Sequence, residues 1–244
     1  MNNYKIVIEY DGKNFFGWQI QKNTTKTIQE TIEKSFKQIL NEDIKITASG
    51  RTDTAVNALN QTAHFKTDTH INPSKLIYSL NSILPPTITI KDMKSVPLNF
   101  HARYSVKKRE YEYNICLNKK SVYGDYYYKL NYDLDFNIID KFIPYLIGDR
   151  SFKSLCKNKT DKHNFRCFVY SLTYKLKKTK NELLFNIIAN RFLHSMVRAI
   201  IGCLIDLGRG RLKLEDTKTK FLKGEKIKTT YLPGNALFLK NIYY

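Results

Sequence analysis

The sequence predicts an α+β protein made of two α/β-sandwich halves, each a mainly antiparallel sheet with helices on one face, with a cleft between them. Three observations carry this expectation. Strand-like and helix-like segments alternate up to about Val96, and the same mixture restarts after Arg103. The 244 residues, 42% of them hydrophobic, suffice for one large domain or two of about 100 to 130 residues. No Pro/Gly/Ser-rich linker separates the halves, so they are expected to pack together over a cleft. The seam falls near residues 100 to 108, giving an N-terminal half of 1–105 and a C-terminal half of 106–244.

Taken in order, Lys5 to Tyr10 is apolar and β-branched and reads as a buried strand, with Asp11-Gly12 as the turn after it. Thr27-Ile28-Gln29-Glu30 has the form of a capping box, in which Thr and Glu satisfy each other's orphan amides. The helix it opens places Ile28, Ile32, Phe36, Ile39 and Leu40 on one face. Strands are expected at Ile44 to Ala48 and Gln61 to Lys66. Asn72-Pro73 reads as an N-cap followed by a first-turn proline, with a helix to about Leu84 and a strand at Thr87 to Val96. In the second half, Arg109 to Leu117 alternates as a half-buried strand does. A helix over Ile138 to Ile147 and strands near Cys167 to Leu176 and Leu183 to Ala189 follow. The strongest helix spans about Phe192 to Leu207, with a wide apolar stripe ended by Gly208. Asn235 to Tyr243 reads as a final strand.

Lys and Arg number 41 and Asp and Glu 22, a formal charge of +19. Such an excess suits a protein that meets a polyanion, because each neutralised phosphate releases condensed counterions. An anionic membrane or a Lys-rich proteome would also account for it. The four cysteines (Cys116, Cys156, Cys167, Cys203) form no C-x-x-C pair, which argues against a zinc knuckle or a disulfide scaffold. The N-terminus runs into a strand-like segment without a signal-peptide core, and no apolar run approaches the roughly 18 to 20 residues of a membrane helix. A cytoplasmic protein without membrane association is expected.

Three segments could carry chemistry. In Ser49-Gly50-Arg51-Thr52-Asp53-Thr54, a glycine after a strand turns the chain and sets Arg, Thr and Asp at the rim of a sheet. A carboxylate beside a guanidinium stays ionised, as a nucleophile must, although a surface ion pair has the same pattern. In Arg109-Glu110-Tyr111-Glu112-Tyr113, the two tyrosines share one strand face and could stack on an unpaired base or fill a core. In Asn190-Arg191-Phe192-Leu193-His194-Ser195-Met196-Val197-Arg198, Arg198 interrupts an apolar helix and so calls for a carboxylate partner. His194 is either structural or an RNA contact. The histidines (64, 70, 101, 163, 194) lack metal-ligand spacing, and glycine-rich phosphate loops and the G-x-S-x-G elbow are missing. Neither a metal nor a cofactor is expected.

The order Glu9-Tyr10-Asp11-Gly12, Phe16-Gly17-Trp18-Gln19 and Gly50-Arg51-Thr52-Asp53 resembles the TruA family of tRNA pseudouridine synthases. Phe100-His101-Ala102-Arg103, Arg109-x-Tyr111-x-Tyr113, Phe192-x-His194-x-Met196-Val197-Arg198 and Ala236-Leu237-Phe238-Leu239 extend the resemblance over nearly the whole chain. It implies an isomerase that breaks the C1′–N1 bond of uridine and rejoins the base through C5, at uridines 38, 39 and 40 of the tRNA anticodon stem-loop, without metal or cofactor. It further implies a homodimer whose active-site cleft lies between the two halves and whose tRNA contacts both subunits.

By the same resemblance Asp53 is the catalytic aspartate, acting on ribose C1′ or on base C6. Tyr111 stacks on the target base, Arg198 pairs with the catalytic carboxylate, and Arg51 holds the extruded nucleotide. Arg103, His194 and Asn57 complete the substrate-binding set. Extrusion is required because chemistry at C1′ and rotation of the base cannot occur in a stacked stem. The sequence departs from the family pattern after the aspartate, where Thr54-Ala55-Val56-Asn57-Ala58 replaces A-G-V-H-A or T-G-V-H-A. Ala55 takes the place of a glycine suited to positive φ, and Asn57 replaces a histidine with a side chain that hydrogen-bonds but cannot be charged. Activity is expected to persist, at full or reduced rate. The alternative is a non-catalytic tRNA-binding or tRNA-folding protein on the same scaffold; a basic ribosome-associated structural protein is a third reading.

Overall fold

A computed structural model of the chain describes residues 1–157 and 164–244; His163, counted among the histidines above, lies outside the described residues. The chain divides into two compact units, Met1–Lys107 with Phe238–Tyr244, and Lys108–Leu237. The last strand, assigned from sequence to the second half, belongs from Phe238 onward to the first unit.

In the first unit β1 (Asn2–Tyr10) runs antiparallel to β3 (Asn57–Thr67) on one side and to β4 (Ile88–Val96) on the other. The start of β3 pairs in parallel with β10 (Leu237–Tyr243), Phe238 opposite Asn57, and its end pairs with the two-residue β2 (Thr47–Ala48). The alternating apolar residues of β1 explain its place at the centre: Ile6 and Ile8 have no exposed surface. Helices α1 (Ile28–Leu40) and α2 (Pro73–Ile83) begin where their caps predict, the Thr27 hydroxyl accepting from Glu30 N–H and the Asn72 side chain from Lys75 N–H. Helix α1 turns Ile28, Ile32 and Phe36 inward, and the Phe36 ring lies 4.8 Å from that of Phe65 on β3.

In the second unit β5 (Lys108–Cys116), β9 (Glu182–Ala189), β8 (Arg166–Lys177) and β7 (Gly148–Ser151) form an antiparallel sheet in that spatial order, with the short β6 (Tyr128–Lys129) parallel to the end of β5. Tyr174 of β8 stacks on Phe136 of α3 (Phe136–Leu146), and Phe142 of α3 meets Phe221 of α5 (Leu214–Lys223). Helix α4 (Met196–Gly208) is buried along nearly its whole length. All four cysteines are free and buried, and burial holds the Cys167 thiol at a pKa of about 11. Among the described residues no helix is long and apolar enough to cross a membrane.

Candidate active site

Asp53 lies in the loop between β2 and β3, and that loop is built from behind by buried polar side chains. The Ser49 hydroxyl donates to Gln61 Oε1 at 2.6 Å, and Gln61 Nε2 donates to the Gly50 carbonyl at 2.9 Å and to the Tyr10 hydroxyl oxygen at 3.4 Å. Tyr10 and Thr52 share a hydrogen bond of 2.8 Å between their hydroxyls. Ser49 and Gln61 have no exposed surface, and Tyr10 and Thr52 have little. Burial pushes the Tyr10 phenol up to about 12, so it remains neutral and available for hydrogen bonding. A buried polar group left without a partner costs about 1 to 3 kcal/mol, so the four side chains hold one another in a single arrangement.

The front of the loop rests on residues 12 to 18. Trp18 N–H donates to the Thr52 carbonyl at 3.1 Å, and Ala55 N–H to that of Phe15 at 3.2 Å. A Cβ at Gly17, whose φ is +90°, would stand 2.6 Å from the Thr52 carbonyl oxygen; one at Gly12 would stand 2.1 Å from that of Val56. Both positions therefore require glycine for close approach of two backbones. This contact gives the separated Asp11-Gly12 and Phe16-Gly17-Trp18 motifs one task, which is to form the wall of the Asp53 loop. A turn closes the loop, with Val56 N–H on the Asp53 carbonyl at 3.2 Å. Asp53 ends half-buried at the rim, and Arg51 is exposed.

The two departures in this loop have different fates. Ala55 sits at φ 62°, the left-handed conformation a glycine would adopt freely. Asn57 is 2% exposed, and its Oδ1 accepts from Gly12 N–H at 2.8 Å, so its carbonyl oxygen ties the glycine wall to the loop. Arg103 is exposed on the turn that follows β4. That turn is anchored by Asn3, which donates to the Pro97 and Phe100 carbonyls, and by His64, whose Nδ1 accepts from Ala102 N–H at 3.2 Å.

The second unit carries Tyr111, His194 and Arg198. Tyr111 on β5 is buried, with its ring edge-on to Phe192 at 5.1 Å and 87°. Tyr113, its neighbour on the same face, is a core residue whose hydroxyl donates to the Pro233 carbonyl at 3.0 Å. Burial raises the Tyr113 pKa and the nearby Arg198 charge partly offsets it. Arg198 is half-buried in the first turn of α4, with Nε donating to the Leu232 carbonyl at 2.5 Å. His194 is exposed, just before Ser195 turns the chain at φ 57° into the helix. Among the described residues no three His, Cys, Asp or Glu side chains converge as a metal ion would need.

Sequence reasoning missed Gln61, Asn3 and His64. A signal for Gln61 existed: it shares strand parity with Ala63 and Phe65, so alternation turns it inward, where an amide must find partners. Nothing local marked Asn3 or His64, whose partners lie far away in the chain.

A sequence profile of the family described as tRNA pseudouridine synthase matches residues 6–105 and 143–244. The chain belongs to this family. It is accordingly an isomerase, in a family that acts on uridine of tRNA. The matched residues include Arg51, Asp53, Asn57, Arg103, His194 and Arg198, whereas Tyr111 lies in the stretch between them. Full-length similarity covers that stretch. The chain is 39% identical over 249 residues to tRNA pseudouridine synthase A of Thermoanaerobacter sp. (strain X514), with both chains covered completely. It is 40% identical over 251 residues to tRNA pseudouridine synthase A of Caldicellulosiruptor bescii, again over all of both chains. To tRNA pseudouridine synthase A 1 of Bacillus cereus it is 36% identical over 248 residues, covering all of this chain and 99% of the relative.

Proposed function

We propose that the chain converts uridines 38, 39 and 40 of the tRNA anticodon stem-loop to pseudouridine, with Asp53 as nucleophile. The observation that carries this reading is the loop that presents Asp53, half-buried at the rim and held from behind by the Ser49–Gln61–Tyr10–Thr52 network. A structural surface carboxylate needs no such support, whereas a nucleophile must be held in line with the carbon it attacks, ribose C1′ or base C6, since a misplacement of about 1 Å costs on the order of 100-fold in rate. The reaction cleaves C1′–N1, turns the base, and forms C1′–C5; the C5 proton is lost and N1 gains one, so the net change is an isomerisation.

In this reading Arg198 is the charge partner of the catalytic carboxylate. Tyr111, restrained by the edge of Phe192, stacks on the extruded base and assists loss of the C5 proton. Arg51 holds the extruded nucleotide, and Arg103 and His194 bind the RNA backbone. Asn57 acts through Gly12 on the loop rather than by charge. The enzyme works in the cytoplasm as a homodimer, on tRNA and without a cofactor.

Loss of the C5 hydrogen supplies the test, since a transcript labelled with [5-³H]uridine releases tritium as it is converted. Wild type is expected to release tritium from the anticodon arm. Asp53→Asn is expected to release none while binding tRNA within a few fold of wild type. An Asp53→Asn variant with near-normal turnover would overturn the nucleophile. Silence from both proteins, with tRNA still bound, would leave the non-catalytic tRNA-binding reading.

A further inference from the structure

Asp206 is a carboxylate with no exposed surface, at the opposite end of α4 from Arg198, and the reaction as described does not use it. Its oxygens are fully engaged. Oδ2 accepts from the Thr230 N–H at 2.8 Å and the Thr229 hydroxyl at 3.0 Å. Oδ1 accepts from Arg209 Nη2 at 2.7 Å, with Arg211 Nη1 at 3.5 Å and the Thr230 hydroxyl at 3.3 Å. Two guanidiniums and three donors of one short segment therefore meet on a single side chain. A buried carboxylate is tolerated only with such compensation, and removing it would strand the donors it serves.

The segment it grips runs back along the helix. Arg198, Gly202 and Asp206 are four residues apart and so lie on one stripe of α4. Thr229 and Thr230 dock at Asp206. A Cβ at Gly202 would stand 1.8 Å from the Thr230 carbonyl oxygen, so the backbone of the segment touches that of the helix there. At Arg198 the Leu232 carbonyl accepts from the guanidinium Nε, and Leu232 N–H reaches the Arg198 carbonyl at 3.5 Å. One residue later the Pro233 carbonyl takes the Tyr113 hydroxyl. The segment is thus clamped at Asp206, laid against Gly202, and presents the carbonyl that accepts from the Arg198 guanidinium.

We propose that Asp206 is a positioning residue for the isomerisation, acting through residues 229–232 to orient Arg198. This rests on the reading of Arg198 as the partner of the catalytic carboxylate. Asp206 does not touch RNA; its effect belongs in kcat, because the orientation of Arg198 matters when charge develops at the reacting atoms and little for backbone binding.

The test compares Asp206→Asn, Arg198→Lys and the double variant by tritium release, with thermal melts to confirm folding. Asp206→Asn is expected to lower kcat roughly tenfold or more, the size expected from losing a charged hydrogen bond, with KM for tRNA within about threefold. In the Arg198→Lys background, where the guanidinium is gone, the same substitution should lower kcat no further. Multiplicative losses in the double variant would show that Asp206 acts elsewhere. Thr229→Val removes one bond to Asp206 and leaves the charge in place; a kcat loss of a few fold at unchanged KM is expected, and this variant decides the matter should Asp206→Asn not fold. An Asp206→Asn or Thr229→Val enzyme with wild-type kcat, beside a slow Arg198→Lys, sinks the strut alone. An Arg198→Lys enzyme with wild-type kcat sinks the reading of Arg198 and the strut with it.

Discussion

An alanine at φ 62° carries a strain of roughly 1 to 2 kcal/mol, because in the left-handed region its Cβ crowds the following carbonyl oxygen. Ala55 carries that strain two residues from Asp53, where the family pattern has glycine. Ala55→Gly relieves the contact but frees the unfolded chain, so the expected net gain is on the order of 0.5 to 1 kcal/mol, read as a higher urea midpoint at unchanged slope. A lower midpoint would mean that the surrounding backbone, not the side chain, sets this conformation. The residue was legible in the sequence because a missing glycine is conspicuous. The role of Asn57 was not: the family pattern placed it in the substrate-binding set, and its Oδ1 accepts from Gly12 N–H, 45 positions earlier. A polar residue at the base of a strand does not announce which backbone amide it will satisfy.

At the scale of elements, capped and strongly periodic segments were read closely and weakly patterned ones were not. Thr27 and Asn72 placed the starts of α1 and α2, since a cap is a local chemical rule. Helix α4 was read from Phe192 but begins at Met196, because the turn at Ser195 breaks an apolar run that periodicity alone would continue. Ile44 and Ile46 are buried as a strand would bury them, yet Ile46 N–H is taken by the Glu33 carboxylate of α1, so only Thr47 and Ala48 pair. Helix α5 escaped because it buries only Thr217 and Phe221. The turn carrying Arg103 was legible as a motif, but its anchor was not, and that anchor has a pH consequence. Burial, then the His101 ring and the Lys66 charge, lower the His64 pKa, against a hydrogen bond to the Thr47 backbone that raises it. Above about pH 6.5, the unfolded value, His64 is neutral in both states and contributes no linkage. Below it the unfolded chain takes up a proton that the fold resists, so stability falls as pH drops from the unfolded value to the lower folded one. Wild type should therefore lose more of its urea midpoint between pH 7.5 and 5.5 than His64→Gln does; equal losses would remove His64 as the titrating anchor.

Over the whole molecule, chain order and spatial order part company most widely at the last strand: β10 closes the sequence but completes the first unit beside Asn57 and Ala58 of β3. A linear reading assigns a strand to its neighbours in sequence, and two parallel backbone pairs are too little pattern to foretell the return. Charge, by contrast, is a whole-molecule property that composition reports fully. On the proposed reading, the excess of nineteen cations over carboxylates has its functional meaning in the substrate, since extruding a nucleotide costs a few kcal/mol that phosphate contacts must offset. Each phosphate neutralised releases condensed counterions, so affinity must fall with salt in proportion to the number of contacts. With roughly four phosphates engaged, the dissociation constant for tRNA should rise on the order of 100-fold between 50 and 200 mM monovalent salt. Fluorescence anisotropy with Asp53→Asn, which is expected to bind without turnover, measures this slope directly. Replacing Arg51 or Arg103 by alanine should reduce the slope by about one contact if that side chain meets a phosphate. A flat response in the parent would instead place binding on stacking and hydrogen bonds at the extruded base, and the basic surface would then have no part in holding the tRNA.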